Sequence, residues 1–194
     1  PSAGCHISNM ATGGSRHTKG VNVVDLVKAL RALHKAGQIS GLTPEVEKYL
    51  SERVLVSGWY PLGEFLDILH HVHQAMGGTD RAAQEMGAFG AQSALEGVHK
   101  IFLRQGDPVG TVKALERIWP GHFDFGALEV EEQAGRMRVV LTGYPDIARV
   151  HGQLLVGWVR RAVELAGGDP DAVELEEAPW LGHGRFVLGM QLDG

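Results

Sequence analysis

From residue 21 onward the spacing of the apolar positions changes once, and that change divides the chain. In "VVDLVKALRALHKAG" Val24, Val27, Leu30 and Leu33 recur at helical spacing and Gly37 supplies a stop, which predicts a first helix. "LTPEVEKYLSERVL" reads as a short helix with Thr43 as N-cap and Pro44 at its first position. "WYPLGEFLDILHHVHQAMGG" predicts a third helix that opens at Pro61 and closes at Gly77 and Gly78. The helical spacing in "TDRAAQEMGAFGAQSALEGVHKIFLRQG" predicts a longer fourth helix. A fifth follows in "DPVGTVKALERIWPG", capped by Asp107, started by Pro108 and ended by Pro120 and Gly121. Alternation then takes over. "FDFGALEVEE" and "RMRVVLTGY" flank a short "QAG" turn, and "DAVELEEAPW" and "GRFVLGMQL" flank "LGH", so each pair predicts a β-hairpin. Between them "PDIARVHGQLLVGWVRRAVELAGG" is strongly amphipathic and predicts a helix. The expected fold is α+β: a helical N-terminal half followed by ββαββ, with an antiparallel four-stranded sheet covered by helices.

Composition narrows the function classes. The chain has 194 residues, room for one domain with a real core, and its 44% apolar and 21% charged residues are a globular composition. The formal charge is −5, and the 18 Lys and Arg are scattered among 23 acids, so no basic stripe is formed and a nucleic-acid partner is excluded. No apolar run approaches the roughly 18 residues of a membrane span. The N-terminal segment lacks the apolar stretch of a secretory leader, and a cytoplasmic protein is expected. Cys5 is the single cysteine, which excludes an internal disulfide and thiolate-rich zinc sites. Residues 1–20 are short of large apolar side chains and rich in Gly, Ser and Thr. They are expected to form a flexible arm, with Cys5 and His6 solvated, ahead of a single domain over residues 21–194.

The candidate chemistry is mostly imidazole. His70, His71 and His73 crowd the end of the third helix. With Phe65 set to zero on a helical wheel, Leu62, Leu69, Val72 and Met76 fall within about 60°, whereas His71 lies near about 240°, His70 near about 140° and His73 near about 80°. The triplet is splayed, with His71 beside Glu64 and Asp67 expected to face water and His70 at the border. It reads as boundary histidines at a helix end, with a pocket contact by His73 or a two-ligand metal site as alternatives. His151 lies within about 20 to 60° of Ile147, Leu154, Trp158 and Ala162, on the apolar face of its helix. It is either a core histidine bonded to a backbone carbonyl or a pocket-lining one. His183 is expected to be exposed in its turn. Gly87, Gly90, Ala91, Ala94 and Gly97 share one side of the fourth helix, which implies close approach of another backbone or of a ligand. HExxH, GxSxG, a phosphate-binding loop and a strand-linked GxGxxG are all absent, so neither a catalytic residue nor a metal site is expected.

The order and spacing of several segments carry a resemblance. The run from "VVDLVKALRALHKAG" to "LDILHHV", together with "MGAFGA", "GDPVGTVKALERIWPGHFDFGALEVEE" and "TGYPDIARVHGQLLVGWV", resembles a myxobacterial paralogous family of unknown function over about residues 21 to 192. More distantly, "LLVGWVRRAVELAGG", "VELEEAPW" and "GHGRF" make the second half similar to the vinyl-reductase-like ligand-binding domain. Through it the chain resembles haem-nitric-oxide/oxygen sensors and small subunits of the vesicle transport-particle complex. The resemblance implies a pocket between helices and sheet that holds small apolar or aromatic effectors. Trp180 and Gly184 stand where zinc-binding relatives carry cysteines, leaving only Glu177 as a ligand, and the Tyr-x-Ser-x-Arg clamp for haem propionates is missing.

These readings predict a non-catalytic sensory or adaptor domain that binds a small apolar molecule, a protein partner, or both, without a cofactor. Its candidate pocket residues are His73, His151, Trp158 and Trp180. The alternative is a structural or assembly module forming a homodimer through the glycine-bearing face of residues 87–97 and the pair Trp59 and Tyr60. A metal- or haem-dependent protein using His70, His73 or His151 is the third reading, and it needs more ligands than the sequence offers.

Overall fold

The computed structural model describes residues 15–133 and 135–192. Its first element lies inside the segment expected to be a flexible arm. Residues 17–19 form β1 (His17–Lys19), and α1 (Gly20–Lys35) follows without a break. Polar anchors hold this stretch. The Arg16 guanidinium forks onto Asp146 with both N–O distances at 2.6 Å, and the His17 amide donates to Asp124 at 2.7 Å. The Lys19 amide donates to the His122 carbonyl at 2.7 Å. A count of apolar side chains is blind to such ties. Residues 1–14, with Cys5 and His6, lie outside the described residues.

The α1 stripe of Val23, Val27 and Leu30 is buried, and Gly37 ends the segment at φ +70°. α2 (Pro44–Glu47) runs into a 3-10 turn. Thr43 caps it through its carbonyl, which accepts from the Val46 and Glu47 amides, and its hydroxyl makes no cap bond. β2 (Trp59–Pro61) pairs antiparallel with β1 and leads into α3 (Leu62–Ala75), which buries Leu62, Phe65, Ile68, Leu69 and Val72. α4 (Asp80–Glu96) begins at Thr79, whose hydroxyl accepts the Ala82 amide at 3.1 Å. The fourth helix therefore stops at Glu96, short of residue 106. Gly97 leaves the helical region, and Val98 and Ile101 beyond it are exposed, so no packed face extends the helix. The fifth helix is divided at Ala114 into α5 (Pro108–Lys113) and α6 (Leu115–Ile118), closed by a 3-10 turn at Trp119–Gly121.

The second half is ββαββ. β3 (Ala127–Gln133) and β4 (Arg136–Thr142) form the first hairpin, and α7 (Arg149–Leu165) crosses to β5 (Val173–Glu177) and β6 (Phe186–Gln191). The sheet order is β3-β4-β6-β5, with every neighbouring pair antiparallel. Met137, Val139, Leu141, Phe186 and Leu188 face the helices and belong to the core. The opposite face carries an ion-pair ladder. Arg136 and Arg138 each reach Glu176, at 2.6 and 2.7 Å, over the middle strand β6. Gly189 makes room for it, since a Cβ there would sit 2.0 Å from the Glu176 carboxylate.

α4 and α7 cross almost backbone to backbone. A Cβ on Gly87 would lie 1.9 Å from the Leu154 carbonyl oxygen, and a Cβ on Gly157 would lie 1.9 Å from that of Gln84. Polar ties flank this contact. Arg149 is bidentate on Asp80 at 2.9 and 2.7 Å, and Arg161 donates to Gln92 at 2.8 Å. Arg160 bridges Gln84 and the Val173 carbonyl.

Candidate functional site

Beside that crossing the helices do not close on one another. A cavity of about 540 Å³ lies between α1, α3, α4, α6, α7 and the inner face of the sheet. α7 contributes His151, Leu154, Leu155 and Trp158; α4 contributes Met86, Phe89, Gly90 and Ala94; Val139 and Leu188 come from the sheet. The α4 glycines have different surroundings. Gly87 is where the α7 backbone approaches, a Cβ on Gly90 would face the cavity 3.8 Å from the Trp158 indole, and a Cβ on Gly97 would meet the Ser93 carbonyl at 2.7 Å. The mouth is apolar. Phe89, Val98 and Met76 line it and are 65%, 71% and 45% exposed.

Of the four candidate pocket residues, the structure places His151 and Trp158 on the cavity wall and the other two elsewhere. His73 is buried at the end of α3, where its Nε2 donates to the Thr79 carbonyl at 2.9 Å and so fastens the turn into α4. Trp180 does not line the cavity and packs in the space left by Gly152 on α7, where a Cβ would come within 2.1 Å of the indole, and its ring centroid is 6.0 Å from that of Phe186. His70 is exposed and His71 half-buried, the reverse of the wheel, because fully buried Ile68 extends the packed arc toward His71. His183 is exposed. Trp59 is 43% exposed beneath the Lys19 ammonium, 4.3 Å away, and the Tyr60 hydroxyl accepts the Leu55 amide at 2.7 Å. Glu177 is engaged by Arg138 and Arg185.

The polar groups of the wall are few. His151 is 1% exposed, packed among the rings of Phe65, Phe123 and Tyr144. Its Nδ1 lies 3.2 Å from the Tyr144 hydroxyl, and its Nε2 has no partner among the described residues. Burial drives the imidazole down to about 3, so it is neutral, and burial likewise raises the Tyr144 phenol, which keeps its proton. That hydroxyl makes no other bond among the described residues. With the hydroxyl donating to Nδ1, the histidine proton stands on Nε2. Arg16, over the Tyr144 ring at 5.2 Å, and Asp146 hold the loop that carries this phenol.

His122, also on the wall, was not singled out by sequence reasoning. Its Nδ1 is 2.6 Å from the Asn22 amide oxygen and its Nε2 2.7 Å from Nε2 of His99. Since the Asn22 oxygen can only accept, His122 donates from Nδ1 and receives the His99 proton at Nε2. Burial, with His99 alongside, lowers His122 to about 4. Among the described residues no group of three His, Cys, Asp or Glu side chains is arranged to hold a metal ion.

No protein-family model matches the chain, and no curated protein does. Solved structures do. The Fe(II) unliganded H-NOX protein from K. algicida is 14% identical with a TM-score of 0.62, covering 91% of this chain and 97% of its own. An oxygen-binding H-NOX domain related to soluble guanylate cyclases, in its oxygen complex, is 13% identical with a TM-score of 0.62, covering 91% and 95%. A structure probing heme distortion in the H-NOX family is 12% identical with a TM-score of 0.64, again covering 91% and 95%. These likenesses establish an H-NOX-like fold and, with it, the distant similarity to haem-nitric-oxide-binding domains.

The wall meets only part of what a haem requires. Its iron needs a nitrogen lone pair and its two propionates need cations. His122 uses both ring nitrogens, whereas Nε2 of His151 has no partner among the described residues. The charged residues on the wall are Asp25 and Glu85, and among the described residues no lysine or arginine lines it.

Proposed function

We propose that this chain is a non-catalytic sensory or adaptor domain that takes up a small apolar molecule in the cavity between α4, α7 and the sheet. The observation that carries this reading is the cavity itself. Its volume suits a small ligand, and its walls are apolar with a few polar groups, the usual form of such sites. The α4–α7 crossing keeps the two main walls in fixed relation. The H-NOX-like fold supports the reading, because the relatives of that fold include oxygen- and haem-binding proteins. No helix among the described residues is long and apolar enough to cross a membrane.

The test uses a neutral environment-sensitive dye, N-phenyl-1-naphthylamine, with native mass spectrometry of the protein as purified. Saturable dye fluorescence is expected, together with a melting temperature that rises with dye concentration. Neither uptake nor stabilisation, with no co-purified molecule, would refute the reading.

One observation favours a protein partner as well. Phe89 and Val98, which line the cavity, are 65% and 71% exposed, and Ile101, three positions beyond Val98, is 84% exposed; exposed large apolar side chains favour a contact. A second copy of the chain seated there would make the homodimer of the assembly reading. Light scattering at rising concentration tests it, and a strictly monomeric species refutes it.

A further inference from the structure

We propose that the cavity selects neutral, largely apolar molecules that carry a hydrogen-bond-accepting oxygen, and that the Nε2–H of His151 is the donor that meets it. This rests on the cavity being a ligand site and names the class of ligand it takes.

Two independent features of the wall lead there. The first is an unsatisfied donor. Buried N–H groups in folded proteins nearly always have a partner, and an orphaned one marks a place where a partner is missing. His151 is 1% exposed, lines the cavity and has no bond at Nε2, and with the Tyr144 hydroxyl donating to Nδ1 at 3.2 Å the ring proton stands on that nitrogen. His73 makes the contrast clear. It too has an unpartnered buried nitrogen, Nδ1, but it does not line the cavity, so its orphan atom has no ligand to meet. The second feature is charge. Asp25 and Glu85 border the cavity, but their side chains are 40% and 56% exposed and already paired with Lys28 and Arg81, each at 2.8 Å. No cation among the described residues lines the wall, so a carboxylate or phosphate on the ligand would be desolvated without a partner. A ketone, aldehyde, ester or ether oxygen satisfies the donor without bringing that charge. A pure hydrocarbon leaves it unmet.

The experiment compares three naphthalenes of similar shape as competitors of N-phenyl-1-naphthylamine on the full chain: 2-acetylnaphthalene, 2-ethylnaphthalene and 2-naphthoate. It is run on wild type and on His151→Phe. The ketone's affinity relative to the hydrocarbon should fall about tenfold in His151→Phe, with the hydrocarbon's own affinity changing less than about threefold. A net hydrogen bond is worth that much. The naphthoate should compete at least about tenfold more weakly than the ketone in wild type.

An unchanged ketone-to-hydrocarbon ratio would overturn the proposal and leave the cavity as a ligand site. Naphthoate competing as well as the ketone would overturn its neutral-ligand half. No competition by any of the three would overturn both this proposal and the ligand-binding reading. Because His151→Phe can fail to fold, wild type alone supplies a second measurement. Long-range ¹H–¹⁵N correlation should find His151 protonated at Nε2 and that proton moving downfield on saturation with 2-acetylnaphthalene. Protonation at Nδ1, or a proton that does not move, would overturn the assignment.

Discussion

Adding one methyl group at Gly157 strikes the contact on which the cavity walls depend. On an isolated helix Gly→Ala is favourable by about 1 kcal/mol, since alanine loses less backbone entropy. At Gly157 the new Cβ would stand 1.9 Å from the Gln84 carbonyl oxygen and 2.5 Å from its carbon. A comfortable carbon–oxygen contact is about 3.3 Å, so the crossing must open by about 1.4 Å or the helices must slide. The obstacle is backbone, which cannot rotate aside as a side chain can. Overpacking of a tight core costs typically about 1–3 kcal/mol and occasionally more, and this site belongs at or above the upper end. After the propensity gain, Gly157→Ala should lose about 2–3 kcal/mol, a fall in Tm of about 5–10 °C for a chain of this length. Gly63→Ala is the matched control: it lies in α3 with nothing within 4 Å of its Cβ, and it should gain about 0.5–1 kcal/mol. Urea denaturation followed by far-UV circular dichroism, with a thermal scan beside it, measures both. Gly157→Ala at or above wild-type stability would refute the crossing.

Gly90→Leu projects into the cavity past Trp158, whose indole lies an unstrained 3.8 Å from the new Cβ; dye affinity should fall about tenfold with Tm unchanged or raised, as fluorescence titration and a thermal scan will tell. His151 and His122 are held neutral well below the ordinary 6.5, at about 3 and about 4, so the unfolded chain binds their protons first. Stability should therefore fall as pH drops from about 6.5 toward those values, by about 1.4 kcal/mol per pH unit for each histidine, and His151→Phe should remove one histidine's share from a urea series across that range. Salt bridges to arginine hold Glu176 below the usual carboxylate range and Glu177 at about 2, so the stability they provide is present above about 4.5 and lost as pH falls toward 2. Glu176→Gln with Glu177→Gln should flatten that lower-pH loss in the same titration, and an unaltered slope would show that the ladder contributes nothing.

What could be read from the chain was decided by periodicity. The helices of the first half repeat near 3.6 and the hairpins repeat near 2, so the α+β layout with its ββαββ half was legible down to the Gly37 stop and the Asp107 cap. β1 was hidden because "HTK" has no apolar rhythm and is held by side chains from distant segments, Asp124 among them. α4 was overextended because Val98, Phe102 and Leu103 continue a helical spacing that only tertiary contact could have satisfied. The candidate site shows a sharper limit. A helical wheel separates buried from exposed, and His151, Trp158 and His73 look alike on it, while Trp180 falls in the predicted hairpin, where no wheel applies. Whether the buried side meets packing or a void depends on which neighbours are missing. For Trp180 the neighbour is Gly152, and the indole fills its place. For His73 it is the Thr79 carbonyl, beyond the helix end. Tyr144, the hydrogen-bond partner of His151, is seven positions away in a loop and carries no motif.

A hollow of this size is expensive, because the side chains around it forgo the dispersion contacts that a filled interior supplies. The fold compensates for it away from the hollow. Gly87 and Gly157 let two helix backbones touch, Arg149 and Asp80 fasten their ends, the arginine–glutamate ladder braces the back of the sheet, and Arg16 pins the loop carrying Tyr144. None of these ties passes through the cavity, and each fixes one of its walls. A chain whose stability required only a filled interior would close α4 and α7 along their whole length with larger side chains. Instead small residues continue along α4 past the crossing, at Gly90 and Ala94, where nothing but open space requires them. That asymmetry, small residues kept beyond the point where packing demands them, is the physical reason to regard the hollow as the working part of the molecule, and it predicts that filling it from within stabilises the fold while forcing its walls apart does not.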